Sequence, residues 1–274
     1  MRTLAQAASV QGGVAGAPLP PILPGLTALG VTPRRGQVTM IAAPPNGGKS
    51  LLALWYAIQA KVPTLYISAD TDQATTIARS AAIITGRTVN EAEHAMNSGN
   101  AKAVEDQVAK ADWLMCDFDP SPTLPSIERE VLAAFEVWGL VDLIIIDNLM
   151  NVVGEPGNEW GDMSETMRQF HHLARLTEAA VWVLHHTTES EGDPTRPASR
   201  RMIQGKVAQL PEQILTVAAQ PQRGQISIAC VKNRHGAHDP SGSLNATFPV
   251  DFSRMTIYPD HAAASAARQW QQYK

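Results

Sequence analysis

Eight consecutive residues, Ala43-Pro44-Pro45-Asn46-Gly47-Gly48-Lys49-Ser50, constrain this chain more than any other feature. They follow the apolar, β-branched run Gln37–Ala42 and precede a helical pattern, so the backbone passes from a strand through a glycine-bearing loop into a helix. In that context GGKS reads as a phosphate loop. Successive backbone N–H groups, backed by the positive end of the following helix, surround phosphate oxygens. Pro45, Asn46, Gly47, Gly48, Lys49, Ser50 and Leu51 are the expected contacts. Lys49 supplies a point charge to the transferred phosphoryl group, and the Ser50 hydroxyl is a ligand for Mg²⁺. Ala43 stands where the motif has its first glycine, which constrains the backbone if that position requires positive φ.

Further strand-like runs occur at Thr64–Ser68, Trp113–Cys116, Leu143–Ile146, Val181–His185, Ile214–Ala218, Gln225–Val231 and Met255–Tyr258. Counting Gln37–Ala42 as the first, the five runs up to Val181–His185 are continuously apolar and separated by helical patterns, as expected when helices cover both faces of a parallel sheet. Helices are expected after Lys49, Thr71 and Leu124, and between Glu159 and Glu178. In the last of these Trp160, Met163, Met167, Phe170 and Ala174 form one stripe, with His171, His172 and Arg175 on other faces. The final three strands lack long helical connections, and Pro221–Gly224 marks a turn, so antiparallel hairpins are expected at one edge. The fold class is therefore α/β, a P-loop core with a mostly parallel sheet, helices on both faces and antiparallel C-terminal edge strands. Residues 1–21 read as a flexible arm, 22–260 as the core domain and 261–274 as a tail. Gly154–Gly157 and Thr187–Gly205 read as long loops.

Carboxylates and histidines end several strands. Asp147 closes Leu143–Ile146, the arrangement that brings an acid beside Mg²⁺ at a phosphate loop. Asp70 closes the run Leu65–Ala69 at the same carboxyl edge, where ligands bind in open parallel sheets, and is the candidate base that activates water. Its rival role is to cap the helix beginning near Thr71, which Asp72 also offers. His185 and His186 end another strand at this edge. One of them senses the γ-phosphate, with His186 the candidate, although sequence does not rank the two.

A formal charge of -4 excludes a uniformly basic surface, so any contact with nucleic acid must be local. Arg196, Arg200, Arg201 and Lys206 cluster in a Gly- and Pro-bearing segment suited to a DNA backbone. Cys116 and Cys230 lie in apolar runs and read as buried thiols, which fits a reducing cytoplasm. The run Val141–Ile146 is too short to span a bilayer, so no membrane association is expected.

In motif order from Ile22 to Tyr258, the chain resembles DnaB-like replicative helicases and their RepA-like and KaiC-like relatives in the RecA superfamily. Gly25-Leu26-Thr27-Ala28-Leu29 and Arg35-Gly36-Gln37-Val38-Thr39 resemble the approach to the first strand. Leu65–Asp70 resembles the segment ending in the family's catalytic glutamate, with Arg79 matching an arginine in the next helix. Leu143–Asp147 corresponds to Walker B, and Val183–Thr187 is similar to the RepA-like sensor strand. Lys232-Asn233-Arg234-His235-Gly236 resembles the KxR finger that serves a neighbouring subunit's site.

The resemblance implies an ATP- and Mg²⁺-dependent helicase ATPase of phage or plasmid type without the N-terminal collar. It also implies a homo-oligomer, expected as a hexameric ring, acting on single-stranded or forked DNA in replication or recombination. Asp70 is one methylene shorter than the family's glutamate and would act through a bound water with slower turnover. Two other readings remain open at this point. Asp70, Asp147, His185 and His186 converging on a metal would make a nuclease, and slow hydrolysis without strand separation would make a nucleotide-switched assembly protein.

Overall fold

The computed structural model describes residues 16–98, 101–153, 159–188, 193 and 195–271. The expected loop at Gly154–Gly157, and residues 1–15 of the expected arm, lie outside them. Nine strands among these residues form one sheet: β1 (Val38–Ala43), β2 (Thr64–Ser68), β3 (Leu114–Asp117), β4 (Leu143–Asp147), β5 (Ala180–His186), β6 (Gln213–Gln220), β7 (Gln225–Asn233), β8 (Asn245–Asp251) and β9 (Thr256–Ile257). Their order is β3-β2-β4-β5-β1-β6-β7-β8-β9. Strands from β3 to β6 run parallel, while β7, β8 and β9 add antiparallel pairs at one edge. The described helices are α1 (Pro24–Ala28), α2 (Lys49–Ala60), α3 (Gln73–Thr85), α4 (Val89–Asn97), α5 (Ala101–Val108), α6 (Leu124–Trp138), α7 (Glu159–Thr177) and α8 (His261–Gln271).

The continuous apolar strands make sense because alternate residues feed two separate cores. Ile41, Leu143, Ile145, Trp182 and Leu184 point to one face and pack with Leu52, Trp55 and Tyr56 of α2. Met40, Ile144, Ile146, Val181 and Val183 point to the other and pack with Ile127 and Val131 of α6 and Met167 and Phe170 of α7. A strand with both faces covered cannot alternate apolar with polar residues, since either choice buries a side chain. The stripe expected on α7 holds at Met167, Phe170 and Ala174, all fully buried. The side chain of Trp160 is outside the described set.

Several elements differ from the sequence expectation. β8 went unrecognised because Asn245-Ala246-Thr247-Phe248-Pro249-Val250-Asp251 contains a proline and only a few apolar residues. Proline is tolerated near a sheet edge, where not every backbone N–H is needed by the ladder. Helices α4 and α5 fill the stretch after α3 and close a small core of Ala81, Ala92, Ala95 and Val104. Thr88 and Glu91 form a reciprocal capping box that starts α4. Leu19, within the expected arm, is buried, and Pro18 bridges to Arg34. Residues expected as a tail form α8, which buries Ala264. Within the described part of the expected loop from Thr187 to Gly205, Thr187 pairs with Ile203, and short 3₁₀ turns occupy Arg200–Met202 and, running past Gly205, Gln204–Gln209.

Candidate nucleotide site at the carboxyl edge of the sheet

β1 delivers the chain into the phosphate loop at its carboxyl end, and α2 begins at Lys49 directly after Gly48. Gly48 has φ of 93°, a left-handed conformation open to glycine at little cost. Gly47 is excluded from carrying a side chain by space: a Cβ there would lie 2.7 Å from the Ala43 methyl and 2.9 Å from the Pro44 carbonyl oxygen. Ala43 is the last residue of β1 and is not among the positive-φ residues, so the missing first glycine of the motif imposes no strain. Asn46 takes the left-handed turn instead, with φ of 60°, a conformation that asparagine tolerates better than most residues.

Parallel pairing then sets the acids beside this loop. β4 pairs with β2 so that Asp147 lies across from Ser68, and the backbone N–H groups of Ala69 and Asp70 both donate to the Asp147 carbonyl. Lys49 is buried. Desolvation lowers its pKa, while the charges of Asp147 and Asp70 push it back up. Asp147 is also buried, which raises its pKa, opposed by Tyr66, Ser50 and Lys49. The Tyr66 hydroxyl donates to Asp147 Oδ2 at 2.7 Å. Asp147 Oδ1 has no hydrogen-bond partner despite its burial. Ser50 lies close enough to favour the charged carboxylate without completing a bond of normal geometry to Oδ1. An orphaned carboxylate oxygen beside a serine hydroxyl at a phosphate loop is the donor set of a hard divalent cation, so the residues present fit Mg²⁺.

Asp70 is solvent-exposed at the crevice, and its rival role falls to Asp72, whose carboxylate accepts from the Thr75 N–H at 3.0 Å and caps α3. The two histidines separate cleanly. His185 is fully buried and its Nε2 donates to the Gln204 carbonyl at 3.1 Å. His186 is only half-buried, lies within the fields of Lys49 and Asp70, and receives Asn148 Nδ2 at its Nε2, 3.3 Å away. Among the described residues no group of three or more His, Cys, Asp or Glu side chains gathers as a metal cluster.

Burial drives the His185 pKa down to about 4. The unfolded chain then binds a proton that the folded chain refuses, so stability is lost as pH falls from about 6.5 to about 4. The difference amounts to roughly 3 kcal/mol. Chemical denaturation between pH 7 and pH 4 should show His185→Gln losing less stability over this window than the unaltered chain. Equal losses would count against the neutral, buried histidine.

Of the remaining candidates, Lys232 and Arg234 lie at the edge of the sheet opposite the phosphate loop. β7 runs antiparallel to β6, pairing Asn233 with Gln213 and Lys232 with Ile214, which carries Lys232 and Arg234 to the amino edge of the sheet. The Lys232 ammonium donates to the carbonyls of Gln209 at 2.6 Å and Ala208 at 3.4 Å. Desolvation and the nearby Arg200 and Arg234 lower its pKa to about 8. Arg196 is exposed and pairs with Asp193 at 3.8 Å, and Arg200 donates to the Ala208 carbonyl. Arg200, Arg201 and Lys206 line one open groove with Asp239, whereas Arg196 does not line it. Tyr66, Asn148 and Glu212 are absent from the sequence reading. Only Tyr66 had a local signal, as a hydroxyl in a fully buried strand that must find a partner.

No described helix is long and apolar enough to cross a membrane. The chain is 36% identical over 256 residues to the Gene 65 protein of Mycobacterium phage L5, covering 89% of this chain and 94% of that protein. It is 33% identical over 231 residues to the Gene 65 protein of Mycobacterium phage D29, covering 80% and 98%. Among solved structures it resembles a DnaB-like replicative helicase studied with primase (TM-score 0.75, 14% identity, 92% of this chain). This chain spans 64% of that helicase's length. It also resembles a second protein solved as its ATPase domain (TM-score 0.70, 15% identity, 92% and 94% of the two chains) and the RadB recombinase (TM-score 0.53, 16% identity, 85% and 95%). The phosphate loop, its facing acid and the strands that present them, β1 and β4, fall inside residues 20–192, which match the AAA_25 family, described as an AAA domain; over more than half its length this chain is a P-loop ATPase domain of that family, with a RecA-like fold.

Proposed function

We propose that this chain hydrolyses ATP as a DnaB-like motor on single-stranded DNA, assembled as a six-membered ring, in replication or recombination of a phage-type genome. The observation that carries the reading is the split placement of its cations. Lys49 sits with Asp147 at the phosphate loop, while Arg234 sits at the opposite edge of the same sheet. β1 alone separates the two edges: from Val38 to Ala43 there are five steps of ~3.3 Å, about 17 Å. Arg234 therefore has a use in phosphoryl transfer only at another subunit's site, which calls for a head-to-tail assembly closed into a ring.

Within this reading residues 22–260 form the motor domain of a cytoplasmic protein. Ser50 and Asp147 hold Mg²⁺, which when bound neutralises charge between the β- and γ-phosphates. The backbone of residues 45–51 cradles the phosphates, and Lys49 neutralises the transferred group. Asp70 orients and deprotonates the attacking water. His186, its ring fixed by Asn148, contacts the γ-phosphate. Arg200, Arg201 and Lys206, with Arg196 flanking them, meet the DNA backbone on the crossover that links the sensor strand to β6.

ATP hydrolysis measured with and without single-stranded DNA, beside a gel assay on a forked duplex, tests this. Hydrolysis stimulated by DNA, with strands separated and intact, is expected. Shortened strands would replace the motor with a nuclease, and hydrolysis indifferent to DNA would replace it with a nucleotide-switched assembly protein.

A further inference from the structure

Glu212 is a carboxylate that no catalytic step uses, yet it is buried at the amino edge of the sheet, between the end of the crossover and β6. Its burial opposes ionisation. Hydrogen bonds from His171 and from the Val38 N–H outweigh that cost and hold the carboxyl below the usual carboxylate range. Oε2 accepts from the Val38 N–H at 2.9 Å and faces His171 Nδ1 at 3.3 Å. His171 is itself oriented by its other ring nitrogen, Nε2, which lies 3.1 Å from the Leu210 carbonyl. Oε1 accepts from Arg234 Nη1 at 3.3 Å.

The backbone repeats the connection. The Arg234 N–H donates to the Glu212 carbonyl at 2.9 Å, and the Glu212 N–H donates to the Val38 carbonyl at 3.0 Å. Arg234 is thus gripped at main chain and side chain by one residue, which is fastened in turn to the first residue of the strand that ends in the phosphate loop. The grip leaves the guanidinium reachable, since the Arg234 side chain is 53% exposed and that of Glu212 only 8%. A free arginine on a strand end samples many rotamers, and a carboxylate that holds one Nη of the fork restricts that search while leaving the rest of the fork for a phosphate.

We propose that Glu212 is the positioning residue of the Arg234 finger, aiming the guanidinium out of its own subunit toward the neighbour's nucleotide. This rests on the reading of Arg234 as a finger acting in trans. His171 and the Val38 N–H keep the carboxylate charged and fixed, and Lys232 adds a second cation in its field.

Glu212→Gln keeps an acceptor for the Val38 N–H and removes the charge that holds Arg234. The full-length chain carrying this change should keep its KM for ATP and lose kcat by about tenfold, the scale on which a misaimed catalytic group acts. In an Arg234→Ala background the same change should matter by about twofold or less, because two residues acting through one group are not additive. A kcat unchanged by Glu212→Gln overturns the proposal, as does an equal tenfold loss in both backgrounds, which would mark a purely structural role. Hydrolysis intact in Arg234→Ala alone would remove the finger itself, a separate failure that leaves Glu212 with nothing to aim. If Glu212→Gln does not fold, His171→Gln takes its place. That variant is expected to give the same pattern with a smaller loss, and additivity with Arg234→Ala would again overturn the idea.

Discussion

Replacing Lys49 by alanine is expected to lower ATP hydrolysis about a thousandfold, because in the proposed motor its ammonium neutralises the phosphates from within the subunit. The surroundings make the loss larger than deletion of one charge. Asp147 and Asp70 both project their fields onto Lys49, so without it the crevice presents two carboxylates to a polyanionic ligand. Nucleotide affinity should fall along with turnover. The fold should survive: Lys49 is the first residue of α2 and contributes a desolvated charge rather than packing, and Asp147 can relieve its own isolation by taking up a proton. Steady-state hydrolysis, binding of a fluorescent nucleotide and a thermal melt measure the three effects separately. Hydrolysis within tenfold of the unaltered chain would mean that phosphates are bound elsewhere.

Arg234→Ala is expected to leave nucleotide binding close to normal and to depress hydrolysis by about a hundredfold or more, as loss of a finger does. The sheet explains the dissociation of the two effects. Arg234 follows Asn233, which pairs with Gln213 at the start of β6, while the phosphate loop follows the end of β1. No side chain spans that distance. The decisive comparison mixes the two defective chains: Lys49→Ala subunits retain Arg234, and Arg234→Ala subunits retain Lys49. At equal amounts about a quarter of the head-to-tail interfaces would then hold both groups intact, so activity should reappear at roughly that fraction. No recovery on mixing would place the finger in its own subunit or dispense with it.

The parts of the fold that are legible in the sequence are those written by local rules. The parallel strands announce themselves as continuous apolar runs because both faces are covered, and the GGKS loop is bounded by a strand and a helix whatever the rest of the chain does. The elements that are not legible depend on partners distant in the chain. β8 reads as a polar, proline-broken segment until β7 lies beside it. α4 and α5 are short, with few apolar residues, and their small core exists only once all three helices meet. The N-terminal residues around Leu19 look like a featureless Ala- and Pro-rich arm until Tyr56 donates to the Pro20 carbonyl.

The sequence by itself determines the chemistry available to this protein: a lysine and serine after a glycine turn, acids and histidines at strand ends, and a lysine and arginine two residues apart near the end. Those groups follow from residue type and from the strand or loop that carries them, which short-range propensity and burial specify. Only the tertiary structure decides how they are divided. Strand order brings β2, β4 and β5 to the same side of β1, so Tyr66, Asp147 and His186 share one edge, and the antiparallel reversal of β7 sends Arg234 to the other, where Glu212, itself paired with His171, holds it. The β6–β7 reversal is legible in the turn at Pro221–Gly224, but the order and pairing of the parallel strands, which are joined by long crossovers, are long-range properties set by the mutual packing of two cores.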